Sequence, residues 1–292
     1  MSETEPAPVH TQVLDGLALA NEIRAELAET IAQLVAAGSR APCLAVVLVG
    51  DDPASRSYIK GKKRACARIG MDSTEHLLPE STPQDKLLGL IADLNADDGI
   101  DGILVQLPLP KHISAAAVAE AVDPAKDADA LHPTTSGRLL AGTAELISCT
   151  PLGIMAVLDH YSVPLEGARA VVIGRSNIVG KPIALLLQQR NATVTVCHSR
   201  TRDLAGVCRE ADILVAAVGR PRMVKADWVR PGAAVIDVGV TEVDGKLVGD
   251  VDFDAVLGRA SLLTPSRRGI GPMTITMLLR NTLLAYRNRK AL

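Results

Sequence analysis

Aromatic side chains are almost missing from this chain: three Tyr, one Trp (Trp228) and one Phe (Phe253) in 292 residues. The core must therefore be aliphatic, and ring platforms for stacking bases or sugars are few. Long apolar runs are missing too, since none approaches the ~18 residues that suggest a membrane-spanning helix. Net charge is close to nil. The 31 basic and 33 acidic side chains leave a formal charge of −2, which excludes a chain-wide electrostatic case for nucleic acid. The five cysteines (Cys43, Cys66, Cys149, Cys197, Cys208) are odd in number and have no C-x-x-C spacing, so neither a disulfide framework nor a zinc site is expected. Six scattered histidines show no metal-ligand spacing, and no metal is expected. Met1 to His10 carries Glu3 and Glu5 and no apolar stretch. It reads as a short disordered arm and not as a signal peptide, and the expected compartment is a reducing cytoplasm.

What is present is ample aliphatic material, 48% hydrophobic residues in a length that suggests about two domains. Short apolar runs alternate with helical patterns, the mark of an α/β protein with mainly parallel strands. Helical spacing runs from Leu14 to Ala37, followed by the buried-strand pattern Leu44–Val49 and a helix from about Ala54 to Ile69. Strand-like residues near His76–Leu78 precede a helix that Pro83 opens, and Gly102–Val105 is a further buried strand. A helix near Ser114–Val122 is followed by Asp123–Thr143, rich in Asp, Pro, Thr and Gly and read as a long irregular stretch. A helix from Thr150 to about Tyr161 marks the crossing into a second domain. That domain has strands at Ala170–Ile173, Thr193–Cys197, Ile213–Val218 and Ala233–Val238, a hairpin turned at Asp244-Gly245, and helices at Gly180–Gln189 and near Leu204–Arg209. A helix from Met273, with Ile275, Leu278, Leu279 and Leu283 on one face, is positioned to pack back on the first domain. The expected division is 1–150 completed by 273–292, with 151–272 inserted.

Gly174-Arg175-Ser176-Asn177-Ile178-Val179-Gly180 lies between a strand and a helix, where backbone N–H groups can hold an anion. Its spacing departs from the three-glycine dinucleotide fingerprint, and a tight turn needing glycine is the alternative. The next strand ends in His198-Ser199-Arg200, with no acid for ribose hydroxyls. A hydroxyl and guanidinium there, with Arg175, suit a 2′-phosphate and so NADP over NAD; otherwise Arg200 and Arg202 merely solvate a loop. In the first domain Tyr58 and Lys62 are four residues apart and share a helix face. Basic neighbours Lys60, Lys63 and Arg64 lower a lysine's proton affinity and leave a neutral amine for proton transfer, unless the face is simply solvated. Gln106, at an apolar strand end, either orients a lysine and a substrate nitrogen or caps the strand. The carboxylates of Lys126-Asp127-Ala128-Asp129 either accept paired N–H bonds from a guanidine-like ring edge or form turns.

Seven segments resemble, in order, the bifunctional methylenetetrahydrofolate dehydrogenase/methenyltetrahydrofolate cyclohydrolase family. They are Tyr58-Ile59-Lys60-Gly61-Lys62, Asp101–Pro110, Lys126–Asp129, Cys149–Gly153, Gly174–Ser176 with Val179–Pro182, Val235–Val240 and Gly271–Thr274. The resemblance runs from about Leu14 to the C-terminus. It implies two α/β domains, the second a Rossmann-like NADP-binding domain, with the C-terminal helix returning to the first and a folate substrate bound between them. It implies Lys62 as catalytic lysine, assisted by Gln106, with Tyr58 packing on or bonding to folate and Asp129 holding the pterin edge. Gly271, Pro272 and Thr274 would contact substrate, and Gly174, Arg175, Ser176, Ser199 and Val240 would line the NADP site. A homodimer is implied, with no nucleic-acid or membrane partner. The chain departs from the family where Ser266-Arg267-Arg268-Gly269 replaces a compact Val-Pro-Gly-Gly stretch, where Ala130 replaces a glycine, and where Ser148 replaces a proline. The two arginines either contact an anionic group or point to solvent. A dehydrogenase of another small substrate and a non-catalytic nucleotide-binding module are the competing readings. Lys62 and Gln106 in their family context speak against both.

Overall fold

A computed structural model describes residues 9–290, apart from the side chains of Pro53, Ala54 and Ser57. Met1–Pro8, most of the expected arm, lies outside the described residues. Val9 is tied down, its N–H donating to the Gly258 carbonyl at 2.9 Å. In chain order the elements are β1 (Gln12–Val13), α1 (Gly16–Ala36), β2 (Cys43–Val49), α2 (Pro53–Arg68), β3 (Asp72–Leu78), α3 (Gln84–Ala96), β4 (Gly102–Val105), α4 (Ala115–Ala121), α5 (Pro133–Leu140) and α6 (Cys149–His160). Then follow β5 (Arg169–Ile173), α7 (Gly180–Gln189), β6 (Thr193–Cys197), α8 (Leu204–Arg209), β7 (Ile213–Ala216), a 3-10 turn (Ala226–Trp228), β8 (Ala234–Asp237), β9 (Thr241–Val243), β10 (Lys246–Val248), α9 (Phe253–Val256), β11 (Leu262–Leu263) and α10 (Ile270–Lys290).

The chain divides into two compact units. One comprises Asn21–Cys149 with the chain from Ile275 onward, and is built on a parallel three-stranded sheet in the order β3-β2-β4. Every residue of β2 is buried, which is why it reads as an unbroken apolar run: both faces of a parallel sheet are covered. Val47, Ile91 and Ile103 are among its core, which is aliphatic apart from Cys43. The returning part of α10 closes this unit as expected. A Cβ on Gly102 would come within 2.9 Å of Thr282, so α10 and β4 pack closely. The buried Asp101 carboxylate binds the α10 end through Arg289 (3.2 Å) and is forked by Arg40 at 2.6 and 2.8 Å.

The other unit comprises Thr150–Thr274 with the described N-terminal residues up to Ala20. Its six parallel strands run β1-β11-β8-β7-β5-β6. β5, β6 and β7 give the doubly wound pattern in which the chain leaves β5 first to one side and then to the other. The two-residue β1 is pinned by pairing with β11, a contact between distant segments that no local pattern announces. The expected hairpin is β9–β10, with Asp244 and Gly245 both at positive φ (51° and 73°), as its two-residue turn requires.

One expectation about local structure fails. Asp123–Thr143 is not irregular throughout, because α5 lies within it. The reason is capping that composition conceals. His132 Nδ1 accepts the Thr134 N–H at 2.9 Å, and Asp127 accepts the N–H of His132 at 2.8 Å and the Thr135 hydroxyl at 3.2 Å. Pro133 stands at the helix start, where its missing N–H costs nothing.

Candidate active site

In the three-stranded unit the chain leaves β2 for β3 on one side and reaches β4 on the other. The carboxyl ends of β2 and β4 therefore border a switch point, where open α/β sheets place ligands. α2 starts just beyond β2, fixed by the Asp52 carboxylate accepting the Ser55 N–H at 2.8 Å. It carries Tyr58, half exposed, and Lys62, buried. Gln106 follows β4, its N–H donating to the Val47 carbonyl at 2.8 Å.

Lys62 Nζ donates to Gln106 Oε1 at 2.8 Å, and Gln106 Nε2 donates to the Leu107 carbonyl at 2.6 Å. The second bond fixes which way the amide faces, so its oxygen is committed to the lysine. Burial pushes the Lys62 ammonium below the usual lysine range, and the neighbouring Asp129 opposes that shift. Asp129 is itself pushed up by burial, against the pull of Lys62. Cys149 completes the group: burial first, and then the Asp129 charge, hold its thiol well above the ordinary range, so it is a neutral packing neighbour. A buried lysine with lowered proton affinity beside an amide is suited to taking and giving a proton.

The acidic loop separates into distinct roles. Asp127 is a structural carboxylate, spent on Leu131, His132 and Thr135. Asp129 alone is coupled to Lys62. Lys126 is buried with three carbonyl acceptors, Leu94 (3.0 Å), Asn95 (2.7 Å) and Asp97 (2.7 Å), at the C-terminal end of α3. Ala130, the residue that replaces a family glycine, has φ of 56°. Sequence reasoning missed Asn281. Its buried side-chain NH₂ donates to the carbonyls of Ala128 (2.9 Å) and Ile147 (2.8 Å), the chain neighbours of Asp129 and Ser148. A lone amide on the apolar face with Leu278 was the available signal. Gly271, Pro272 and Thr274 lie at the start of α10, in the portion assigned to the six-stranded unit; Thr274 Oγ1 is 2.9 Å from Thr150 Oγ1.

In the six-stranded unit a cleft of about 330 Å³ opens at the carboxyl ends of β5, β6 and β7. Gly174, Arg175 and Ser199 line it, as do Val218 and Arg220. Gly174 has φ of 126° and a Cβ there would meet the Ala217 carbonyl oxygen at 2.4 Å; a Cβ on Gly180 would meet the Gly174 oxygen at 2.3 Å. Only glycine fits these positions, which brings the turn tightly against the start of α7. Ser176 has an internal role, its hydroxyl accepting the N–H of Val179 (3.0 Å) and Gly180 (3.3 Å). Val240, half exposed after β8, is not part of the cleft lining. Arg268, one of the two unexpected arginines, is ion-paired to Asp15 at 2.5 Å, so it closes onto the chain itself.

Among the described residues no helix is long and apolar enough to cross a membrane. The catalytic-domain model of the tetrahydrofolate dehydrogenase/cyclohydrolase family matches residues 14–129, and the same family's NAD(P)-binding-domain model matches residues 148–290. The Bifunctional protein FolD of Desulfovibrio desulfuricans is 52% identical over 283 residues, which span 96% of this chain and 99% of that protein. Among solved structures, the bifunctional enzyme FolD, a methylenetetrahydrofolate dehydrogenase/cyclohydrolase from Campylobacter jejuni, is 46% identical with a TM-score of 0.93, covering 96% of this chain and 99% of that one. The N5,N10-methylenetetrahydrofolate dehydrogenase-cyclohydrolase of Trypanosoma brucei, solved with NADP cofactor and inhibitor, is 39% identical with a TM-score of 0.93 and covers 97% of this chain and 99% of that one.

Proposed function

Since the chain belongs to the tetrahydrofolate dehydrogenase/cyclohydrolase family, we propose that it oxidises 5,10-methylenetetrahydrofolate with NADP and hydrolyses the resulting 5,10-methenyltetrahydrofolate to 10-formyltetrahydrofolate. The observation that carries this reading is the Lys62–Gln106 pair, present with its partners in a chain that matches both family domains. When bound, NADP supplies the hydride acceptor for the first step. The glycine-only turn at Gly174 and the cleft with Arg175 and Ser199 fit such a cofactor. The three-stranded unit is assigned the folate chemistry and the six-stranded unit the cofactor.

The oxidation needs mainly positioning, because the folate nitrogens stabilise the developing cation. The hydrolysis needs proton transfers. Lys62, with lowered proton affinity, takes a proton from the water that adds to the one-carbon bridge and returns it to the ring nitrogen as the C–N bond breaks, while the remaining hydroxyl proton leaves to solvent as the formyl C=O forms. Gln106 Oε1 holds the amine in place through both steps. Tyr58 packs on the folate ring, Asp129 accepts N–H bonds from the pterin edge, and Gly271, Pro272 and Thr274 complete the substrate contacts. Gly174, Arg175, Ser176, Ser199 and Val240 hold NADP, Ser176 by keeping the turn in shape. The enzyme acts as a homodimer in the cytoplasm.

A two-wavelength assay with 5,10-methylenetetrahydrofolate, following reduced cofactor and methenyl intermediate with NADP and NAD in parallel, tests the reading. The expected result is reduced NADP without methenyl accumulation once uncatalysed hydrolysis is subtracted. Accumulating methenyl would mean the hydrolytic half is lost, and no reduction with either nucleotide would remove the dehydrogenase assignment.

A further inference from the structure

Two buried carboxylates in the six-stranded unit have no place in the chemistry above. Asp237, at the end of β8, accepts the N–H groups of Gly239 (3.0 Å), Asp250 (3.0 Å) and Val251 (2.9 Å). Asp250, fully buried, accepts those of Val218 (2.7 Å), Gly219 (3.1 Å) and Arg220 (2.6 Å). Among the described residues neither carboxylate has a cationic partner; each is held by backbone alone. Burying an acid this way is costly, and the return is geometric: three consecutive N–H groups on one carboxylate fix the backbone of the segment that carries them.

That segment leaves β7 and forms one wall of the cleft. In a doubly wound fold the turn after the first strand takes the pyrophosphate and the end of the next strand takes the adenosine ribose. The cleft touches both, at Gly174 and Ser199, so it is the adenosine half of the cofactor that it receives. The remaining lining includes Leu204, Val218 and Met223, which are apolar, and Arg220, which is exposed. No Phe, Tyr or Trp lines it. Among the described residues of the lining, the flat side chains able to lie on a purine face are Arg175, Arg220 and His198. Arg175 belongs to the turn, and His198 is half-buried with its ring orientation set by the Arg200 N–H donating to Nδ1 at 3.1 Å, whereas Arg220 is exposed at the cleft and its long side chain can turn to meet a ring.

We propose that the Arg220 guanidinium stacks on the adenine ring of the cofactor, against Leu204, Val218 and Met223, and that Asp250 is the positioning residue that sets it there. The inference rests on the cofactor assignment above and adds two residues to it. Asp250 acts by aiming the Arg220 Cα–Cβ bond and does not touch the ligand. Asp237 supports it in turn through the Asp250 N–H.

Calorimetric titration of the full-length protein with NADP tests this, alongside steady-state kinetics. Arg220→Gln is expected to weaken NADP binding about fivefold, the size of a stacked cation–π contact, and to raise the KM for NADP in step. Arg220→Lys, which keeps the charge and loses the plane, is expected to recover less than half of that loss. Asp250→Asn should weaken NADP by a similar factor, and the Arg220→Gln/Asp250→Asn pair no more than either alone. Wild-type affinity in Arg220→Gln, or full recovery in Arg220→Lys, would overturn the stacking. Full additivity in the double variant would overturn the positioning role. Should Asp250→Asn not fold, the two Arg220 variants still decide the stacking. Wild-type protein that binds no NADP would instead remove the cofactor assignment, and this inference with it.

Discussion

Lys62 and Lys126 lie in the same unit with side chains only 8% and 1% exposed, yet they are held in opposite ways. Lys126 spends its three donors on three backbone carbonyls at the end of α3, a position where the helix dipole also favours positive charge. Among the described residues Lys62 has one hydrogen-bond acceptor, the Gln106 amide, and an acidic neighbour in Asp129. Burial lowers the proton affinity of both. What separates them is that the ammonium of Lys126 is fully committed, whereas the amine of Lys62 retains capacity for substrate or water. A buried cation with its donors satisfied builds structure, and one left partly unsatisfied is available for chemistry.

The contrast can be broken from either side. Lys62→Met should give the largest effect: hydrolysis of methenyltetrahydrofolate falls by about a thousandfold while the thermal midpoint stays within a few degrees of wild type. Full hydrolysis in that variant would remove Lys62 from the mechanism. Lys126→Met should do the reverse, lowering stability by about 3 kcal/mol because three carbonyls lose their donor, with kcat per folded molecule little changed in assays well below the midpoint. A stable Lys126→Met protein without activity would erase the distinction between the two lysines.

Two smaller effects sharpen it. Asp237 is buried on backbone N–H groups and its carboxyl is pushed up to about 7, burial being the first cause. The unfolded chain releases this proton near pH 4 while the folded chain keeps it until about 7, so stability from this group is full below pH 4 and is lost as pH rises to 7, by about 1 kcal/mol per pH unit. Chemical denaturation between pH 5 and 8 should show that decline, and Asp237→Asn should flatten it. An equal slope in the variant would assign the decline elsewhere. Ala130→Gly should be the smallest, raising stability by about 0.5–1 kcal/mol, since relief of the left-handed backbone at φ of 56° outweighs the added freedom of glycine. A lower midpoint in Ala130→Gly would show that the Ala130 methyl packs well enough to offset its strain.

Much of this was legible in the chain. The unbroken apolar run at β2 announced a strand covered on both faces, and the four-residue spacing of Tyr58 and Lys62 put them on one helix face whatever surrounded it. α5 was hidden because its stability comes from the capping groups of His132 and Asp127, while its own Pro, Thr and Gly suggest a loop. β1 was hidden because two residues carry no periodicity, and its pairing partner lies about 250 residues away. Asn281 was visible only as an amide on an apolar face, with no hint of which carbonyls it meets.

The division between the two levels follows the range of the forces. Periodicity, turn glycines and motif order are local, so the sequence alone determined the α/β class, the parallel strands, the glycine turn at Gly174 and the family. Burial and directional bonding depend on segments far apart in the chain. Only the tertiary structure decided which of two buried lysines has spare capacity, which aspartate of the acidic loop meets Lys62, and that Asp250 reaches back to hold the loop bearing Arg220.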